Sequence, residues 1–552
     1  MPQVIVDGQE IEIGAHERLN CIEAARRAGK EIPHYCWHPG LSVVASCRMC
    51  LIETGQRDAA TGKIAMVPKL VPGCQTPVKD GTVIVTESAL VKESRARVEE
   101  ALLIDHPIDC PICDKAGECL LQDYHFEHGQ PQRRADLQPF HSRRRDVGPT
   151  VTLFVDRCIM CTRCVRFTRE VSGTGELMVT SRGAKEEIDS FPGFPLDNKL
   201  AGNVVDLCPV GALGDRDFLY QQRVWFLKHE ANVCGGCATG CSIITEHNQD
   251  TVYRLKPREN PHVNKWWMCD EGRYGWHHLH DPARLLSAER RTAPDRSAAA
   301  WQTIDWPEVV DRLRSDLAAA GGLAVAVSPM LTVEEAWMLC AVARSIDPAA
   351  FLAVGHVPRQ GSDETFPGGF TIRAEKCPNR HGVEVVLALF DPAVPGWDDL
   401  LAHVRGGRAR SAWVTAGYPA PWPAPWIDAD TAAAFAGLSC LVVQDLFPSA
   451  LSDQATWRLP AVGFAERAGT WVNAGHRAQC FEQAIRPPAG VWPEGRLLWN
   501  MLGRRGLYDP VAVRRQIAGA AASLAALDGD VPATGIDLRI LQFASNGIPS
   551  PA

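Results

Sequence analysis

At 552 residues the chain is too long for one domain and long enough for about three to five. Apolar residues make up 46% and charged residues 22%, and the net charge of −8 argues against nucleic acid as the main partner. No run approaches the roughly 18 uninterrupted apolar residues of a membrane span. The N-terminus has no basic region leading into an apolar core, so no secretory signal is expected. The chain is expected to be cytoplasmic or to face the cytoplasm, reaching a membrane only through a partner.

In chain order, Val4-Ile5-Val6 meets a turn at Asp7-Gly8, and Ile11 and Ile13 then alternate with Glu10 and Glu12. That pattern predicts a β-hairpin. A helix is predicted from about Glu17 to Ala28, stopped by Gly29, followed by a Gly/Pro-punctuated loop opened by Cys36. Hairpin, helix and cysteine loop is the order of β-grasp ferredoxins. Residues 91–128 read as helical, broken between Pro107 and Cys119. The basic stretch Arg133–Arg145 reads as a solvated loop or, in a sharper reading, as a contact for an acidic partner. Residues 282–300, rich in Arg, Ala and Ser, read as a linker. Beyond it, strand-like apolar runs alternate with Ala-rich helical patterns, as at Leu323–Val327, Glu334–Ile346, Val383–Phe390 and Leu438–Val443, which favours an α/β layer fold. The Pro/Trp segment 419–426 reads as a rigid surface loop, and Asn546–Ala552 is expected to be disordered.

Sixteen of the 20 cysteines lie in residues 1–280. In a reducing compartment, dense and closely spaced cysteines point to metal more than to disulfides. Fifteen of them, with one histidine, divide into four sets of four, the number of protein ligands an iron–sulfur cluster usually takes. The first set is Cys36, Cys47, Cys50 and Cys74, a loop able to wrap a two-iron cluster. The second is His106, Cys110, Cys113 and Cys119; its histidine leaves the cluster one negative charge fewer and should shift its potential. The third is Cys158, Cys161 and Cys164, with Thr168 where a bacterial ferredoxin has its fourth cysteine, so that Cys208-Pro209 supplies the remaining ligand. The fourth is Cys234, Cys237, Cys241 and Cys269. Zinc is the competing occupant for the first, third and fourth sets, because thiolates suit both metals, and His106 taken alone would read as a surface or capping histidine. Cys21 reads as a small buried hydrophobe. The late cysteines Cys340, Cys377, Cys440 and Cys480 stand singly and read as structural.

These residues resemble the large iron–sulfur subunit family of NADH:quinone oxidoreductase, respiratory complex I, in its bacterial form. Cys47-Arg48-Met49-Cys50-Leu51-Ile52-Glu53 is similar to its two-iron motif, His106 to Asp123 to its His/Cys3 motif, and Asp156-Arg157-Cys158 through Phe167 to its ferredoxin-like triad. The fourth spacing resembles the N-terminal four-iron site of molybdopterin-dependent oxidoreductases. Gly469-Thr470-Trp471-Val472-Asn473 and Arg477-Ala478-Gln479 resemble a motif near the end of that domain, although Ala474-Gly475-His476 departs from its acidic position.

The resemblance implies a multidomain α+β and α/β protein. Its parts would be a β-grasp [2Fe-2S] ferredoxin-like domain over 1–90, a His/Cys3 [4Fe-4S] domain over 91–150, and a ferredoxin-like [4Fe-4S] domain over 151–226. A molybdopterin-oxidoreductase-type [4Fe-4S] domain over 227–283 and a shortened, inactive molybdopterin-oxidoreductase-like region over 284–552 would complete it. It also implies one [2Fe-2S] and three [4Fe-4S] clusters, with no flavin and no molybdopterin. The partners implied are an NADH-oxidising flavoprotein subunit, a ferredoxin-like subunit and quinone-site subunits, on the cytoplasmic side of a bacterial inner membrane. The chemistry implied is one-electron relay, with the fourth cluster off the direct route and no catalytic residue in this chain. No strand–GxGxxG–helix unit of the dinucleotide type is found. The alternative is the catalytic subunit of an NAD-linked formate dehydrogenase, which shares the four sets but needs a longer second half and a molybdenum-ligating cysteine. An iron-hydrogenase or a zinc-binding scaffold are weaker rivals.

Overall fold

The computed structural model describes residues 2–539 apart from 133, 136, 139–143, 184, 293–300, 420–426 and 521. It divides into two compact units, Met1–Leu227 with Phe366–Gly369, and the remainder from Lys228 onward.

In the first unit, the predicted hairpin is present as Gln3–Val6 paired with Gln9–Glu12. It lies at one edge of a sheet that continues through Thr82–Val85 to Leu51–Arg57 and Ile64–Met66, with Val71–Pro72 also on Leu51–Arg57. Gln3–Val6 runs parallel to Thr82–Val85, and the other pairs are antiparallel. The helix that packs on this sheet is shorter than expected, Cys21–Arg27. Asn20 sets its start by a capping box with Glu23, which satisfies N–H groups that a helix end leaves unpaired. Val4, Val6, Cys21, Ile22, Ala24, Ala25, Ile52 and Ile84 form the core between them. The region 91–128 resolves into Ala89–Leu102 and Leu120–His128, with the second cysteine set in the loop between. A three-stranded sheet follows, Leu213–Asp215, Val151–Phe154 and Arg144–Asp146. Of the basic stretch, Arg144–Asp146 is thus an edge strand, Arg145 pairs with Asp189 at 3.0 Å and Arg134 pairs with Glu100. Residues 133, 136 and 139–143 of it lie outside the described residues.

The second unit opens with an antiparallel sheet, Lys228–Val233, Ser242–Asn248 and Thr251–Pro257. Its main sheet runs Trp301–Thr303, Glu289–Arg291, Trp457–Pro460, Cys440–Asp445, Ser411–Thr415, Leu323–Val327 and Phe351–Val354. The last five strands are mutually parallel. Along Leu323–Val327 the odd residues enter one core, with the helices Trp306–Ala320, Val333–Ile346 and Glu494–Met501. Ala324 and Ala326 enter the other, with Trp397–Arg405. Both faces are covered, as a parallel sheet requires, and the expected α/β layering is present.

Two expectations are corrected. Val383–Phe390 is not a strand, because Arg380–Leu387 is helical with Gly382, Val383, Val386 and Leu387 buried, a spacing of three and four that suits one helix face. Residues 282–292 are not a free linker, since Glu289–Arg291 adds to the main sheet; residues 293–300 lie outside the described residues. The Pro/Trp segment beyond Pro419 and the tail Asn546–Ala552 also lie outside them.

Candidate metal centres

The four ligand sets do not mix: each gathers by itself. The first set closes through its own thiols. Cys36 is held well below the usual thiol range by hydrogen bonds from Cys47 and Cys74, and Cys50 is lowered by Cys74. Cys36, Cys50 and Cys74 are buried and Cys47 nearly so. The loop reaches this shape through Ala45 and Arg48, both at positive φ, a conformation that costs a non-glycine residue about 1–2 kcal/mol. Cys21, at the start of its helix, is fully buried, and burial pushes its thiol up to about 12. It is the small hydrophobe expected.

His106, Cys110, Cys113 and Cys119 border one small cavity together with Asp109, Arg157 and Gly211. His106 Nδ1 is buried with no hydrogen-bond partner. Burial first, then the charge of Arg157, lowers the imidazole to about 4, so it is neutral at neutral pH, the form that ligates metal. Arg223 braces the loop by donating to the carbonyls of Cys113 at 3.0 Å, Pro111 at 2.9 Å and Cys110 at 3.2 Å. Gly211 is required by space: a β-carbon there would lie 2.2 Å from Cys113 Sγ.

Cys158, Cys161, Cys164 and Cys208 likewise border one cavity. Met160 and Thr162 sit at positive φ on either side of Cys161, which curls the triad, and the Met160 N–H donates to Cys158 Sγ at 3.4 Å. Cys208 arrives from the end of the helix Asn203–Leu207. Burial raises Cys161 to about 11 and lifts Cys158 and Cys164 further.

In the second unit Cys234, Cys237, Cys241 and Cys269 border a cavity of their own with Met268 and Gly272. The N–H groups of Gly236 and Gly272 donate to Cys234 Sγ and Cys269 Sγ, each at 3.4 Å. The Gly469–Val472/Arg477–Phe481 hairpin holds the loop between these cysteines. Asn473 donates to Thr239 O at 2.9 Å, Gln479 to Gly240 O at 2.8 Å, and the Ala474 N–H to Ala238 O at 2.9 Å. A larger cavity of about 290 Å³ adjoins this set but carries Cys234 as its only cysteine, so it is not itself a four-ligand centre.

The donor chemistry fits iron–sulfur clusters. The first set is drawn together by thiol hydrogen bonds and the other three border small cavities, N–H groups point at sulfur, and one orphaned imidazole nitrogen completes the second set. Burial raises most of these thiols, so metal loading must displace their protons. Among the described residues no three His, Cys, Asp or Glu side chains converge on one point as ligands of a single ion. Cys340, Cys377 and Cys440 are buried, Cys377 with its thiol 3.7 Å from Glu375, while Cys480 is half-buried beside Thr470 and Arg514. Sequence reasoning missed the supports. Gly211, Arg223 and Asn473 act through contacts remote in the chain, and only the hairpin motif hinted at one of them.

Family models match in the same order as the ligand sets. A 2Fe-2S iron–sulfur cluster binding domain matches residues 3–89, an NADH-ubiquinone oxidoreductase-G iron–sulfur binding region 95–134, and the ferredoxin-like domain of NADH-quinone oxidoreductase subunit 3 matches 148–214. The NADH-quinone oxidoreductase G subunit of Rickettsia bellii is 38% identical over 281 residues, 50% of this chain and 39% of that protein. The protein of the same name from Streptomyces coelicolor is 33% identical over 378 residues, 65% of this chain and 43% of that protein. A solved chain of an NAD+-reducing [NiFe]-hydrogenase is 27% identical, covering 40% of this chain and 91% of that one, with a TM-score of 0.33. The chain spans about two fifths of the length of the curated relatives it matches. The half that carries the ligand sets is similar to the corresponding part of these NADH-quinone oxidoreductase G subunits.

Proposed function

We propose that this chain is an electron-relay subunit of an NADH:quinone oxidoreductase. Cys36, Cys47, Cys50 and Cys74 would hold a [2Fe-2S] cluster. His106 with Cys110, Cys113 and Cys119 would hold a [4Fe-4S] cluster, as would Cys158, Cys161, Cys164 and Cys208, and Cys234, Cys237, Cys241 and Cys269. When bound, such clusters supply outer-sphere transfer of single electrons. The chain's own part is to bury the ligands, direct N–H groups at the sulfurs and fix the separation of the centres. Electrons would enter from a flavoprotein that oxidises NADH and leave toward the quinone-site subunits, through the three sets of the first unit. The complex would be membrane-bound with this subunit on the cytoplasmic side. No helix among the described residues is long and apolar enough to cross a membrane.

The five-domain division, with boundaries near 90, 150, 226 and 283, and a molybdopterin-oxidoreductase-like scaffold over 284–552 are part of the same proposal. The grip of the 469–481 hairpin on the fourth ligand loop supports the scaffold role. The observation that carries the reading is that sixteen side chains spread over residues 36–269 gather as four separate quartets. Anaerobic purification with iron and sulfide analysis tests it. About 14 irons per chain are expected from one two-iron and three four-iron clusters, with matching EPR signals on reduction. About 10 would strike out one four-iron site, and colourless protein without sulfide would overturn the reading.

A further inference from the structure

Among the described residues, two buried cations of the first unit form no ion pair with a carboxylate. Arg163 and Arg166 lie three residues apart on the helix Arg163–Phe167, which continues from the Cys158/Cys161/Cys164 triad. They are 6% and 8% exposed. Among the described residues, all their hydrogen bonds go to backbone carbonyls. Arg163 donates to Trp37 O at 2.6 Å and Leu207 O at 3.2 Å. Arg166 donates to the carbonyls of Ser42 and Cys36 and, at 3.2 Å, to that of Cys161. No described carboxylate forms an ion pair with either. Arg26 adds a further cation, 3.5 Å from His34 Nε2.

Burying a guanidinium without an anion costs several kcal/mol, and carbonyl dipoles offset only part of that. The carbonyls gripped identify what completes the balance. Cys36 and Trp37 belong to the first ligand loop, and Cys161 and Leu207 are, or adjoin, ligands of the third set. Each guanidinium therefore ties one set to the other. A cluster held by four thiolates is net negative in either redox state and gains one negative charge with each electron accepted.

We propose that Arg163 and Arg166 are shared counter-ions of the first and third clusters. They are positioning residues that clamp both ligand loops to one helix and raise both reduction potentials through their charge. This inference rests on the four-cluster reading above.

Full-length protein, purified anaerobically, provides the test through EPR-monitored redox titration. Arg166→Met is expected to lower the midpoint potentials of both the first and third clusters while those of the second and fourth stay in place. Arg166→Lys keeps the charge but not the fork, and is expected to recover most of the shift. Arg163→Met and Arg163→Lys are expected to behave in the same way. Unmoved potentials in the Met variants, or a Lys variant shifted as far as its Met counterpart, would overturn the proposal. If the Met variants fail to assemble clusters, the Lys variants decide: potentials near wild type support the charge role, and a large fall in either cluster refutes it. Wild-type protein lacking iron and sulfide would instead remove the four-cluster reading itself, so the two failures are told apart.

Discussion

Gly211 illustrates how tightly single residues constrain the ligand loops. A β-carbon there would overlap Cys113 Sγ, with Lys115 Cβ at 3.3 Å closing the other side. Packed interiors transmit even one methyl group of misfit, and the group that must move is the sulfur of a proposed ligand. Gly211→Ala is therefore expected to lose the second cluster selectively, dropping iron by about four atoms per chain, while EPR signals of the other clusters remain. A full iron complement in this variant would show that the loop can yield. Met160 and Thr162 make the complementary case. They accept left-handed backbone beside Cys161, a strain that a tightly turned ligand loop retains because the surrounding fold over-determines it.

At the scale of elements, the helix Val333–Ile346 and the segment 462–494 are joined by a buried charge cluster. Arg467 donates to Glu335 at 2.7 Å and to Glu494 at 2.9 Å, and all three side chains are almost fully buried. Glu335 also completes the capping box with Thr332 that starts the helix. Burial raises the Glu494 carboxyl to about 7, against the opposing pull of Arg467. Arg467→Met would strand two carboxylates in the interior and is expected to cost about 3–5 kcal/mol of stability. Denaturant unfolding of the second unit's transition measures it; a loss under about 1 kcal/mol would mean the carboxylates are satisfied some other way. Because the same segment leads into the hairpin that grips the Cys234–Cys241 loop, the fourth site should be the first to lose iron in this variant.

For the molecule as a whole, pH acts through carboxyls the fold has buried. Glu334 accepts from the Thr470 N–H at 2.8 Å and the Thr470 hydroxyl at 2.6 Å, yet burial still raises it to about 7 from 4.5. A raised folded-state value means the folded protein holds its proton longer than the unfolded chain. This stabilisation is complete below pH 4.5 and is lost as pH rises through 7. The loss is on the order of 3 kcal/mol. Stability measured between pH 4.5 and 7 should fall less steeply in Glu334→Gln than in wild type. Identical slopes would show that Glu334 titrates normally.

The proposed ligand sets were legible in the chain because cluster chemistry would force close spacing on short loops. Cys110 to Cys119 or Cys158 to Cys164 can be read as a unit without knowing any long-range contact. The β-hairpin was legible for a related reason, since its period is local, and Leu323–Val327 was legible as a short apolar run, although only the packing shows which residues face which core. Val383–Phe390 was misread because a short apolar run has no period of its own until it is known which side is covered. Glu289–Arg291 looked like linker because an edge strand of three residues carries no pattern at all. Local spacing thus determined which side chains could bind metal. The tertiary structure alone decided what supports them, bringing Arg166 to Cys36 across 130 residues and Gln479 to Gly240 across 239. Neutralising a buried charge and bracing a loop both depend on atoms brought close by packing, and no spacing in the chain encodes that proximity.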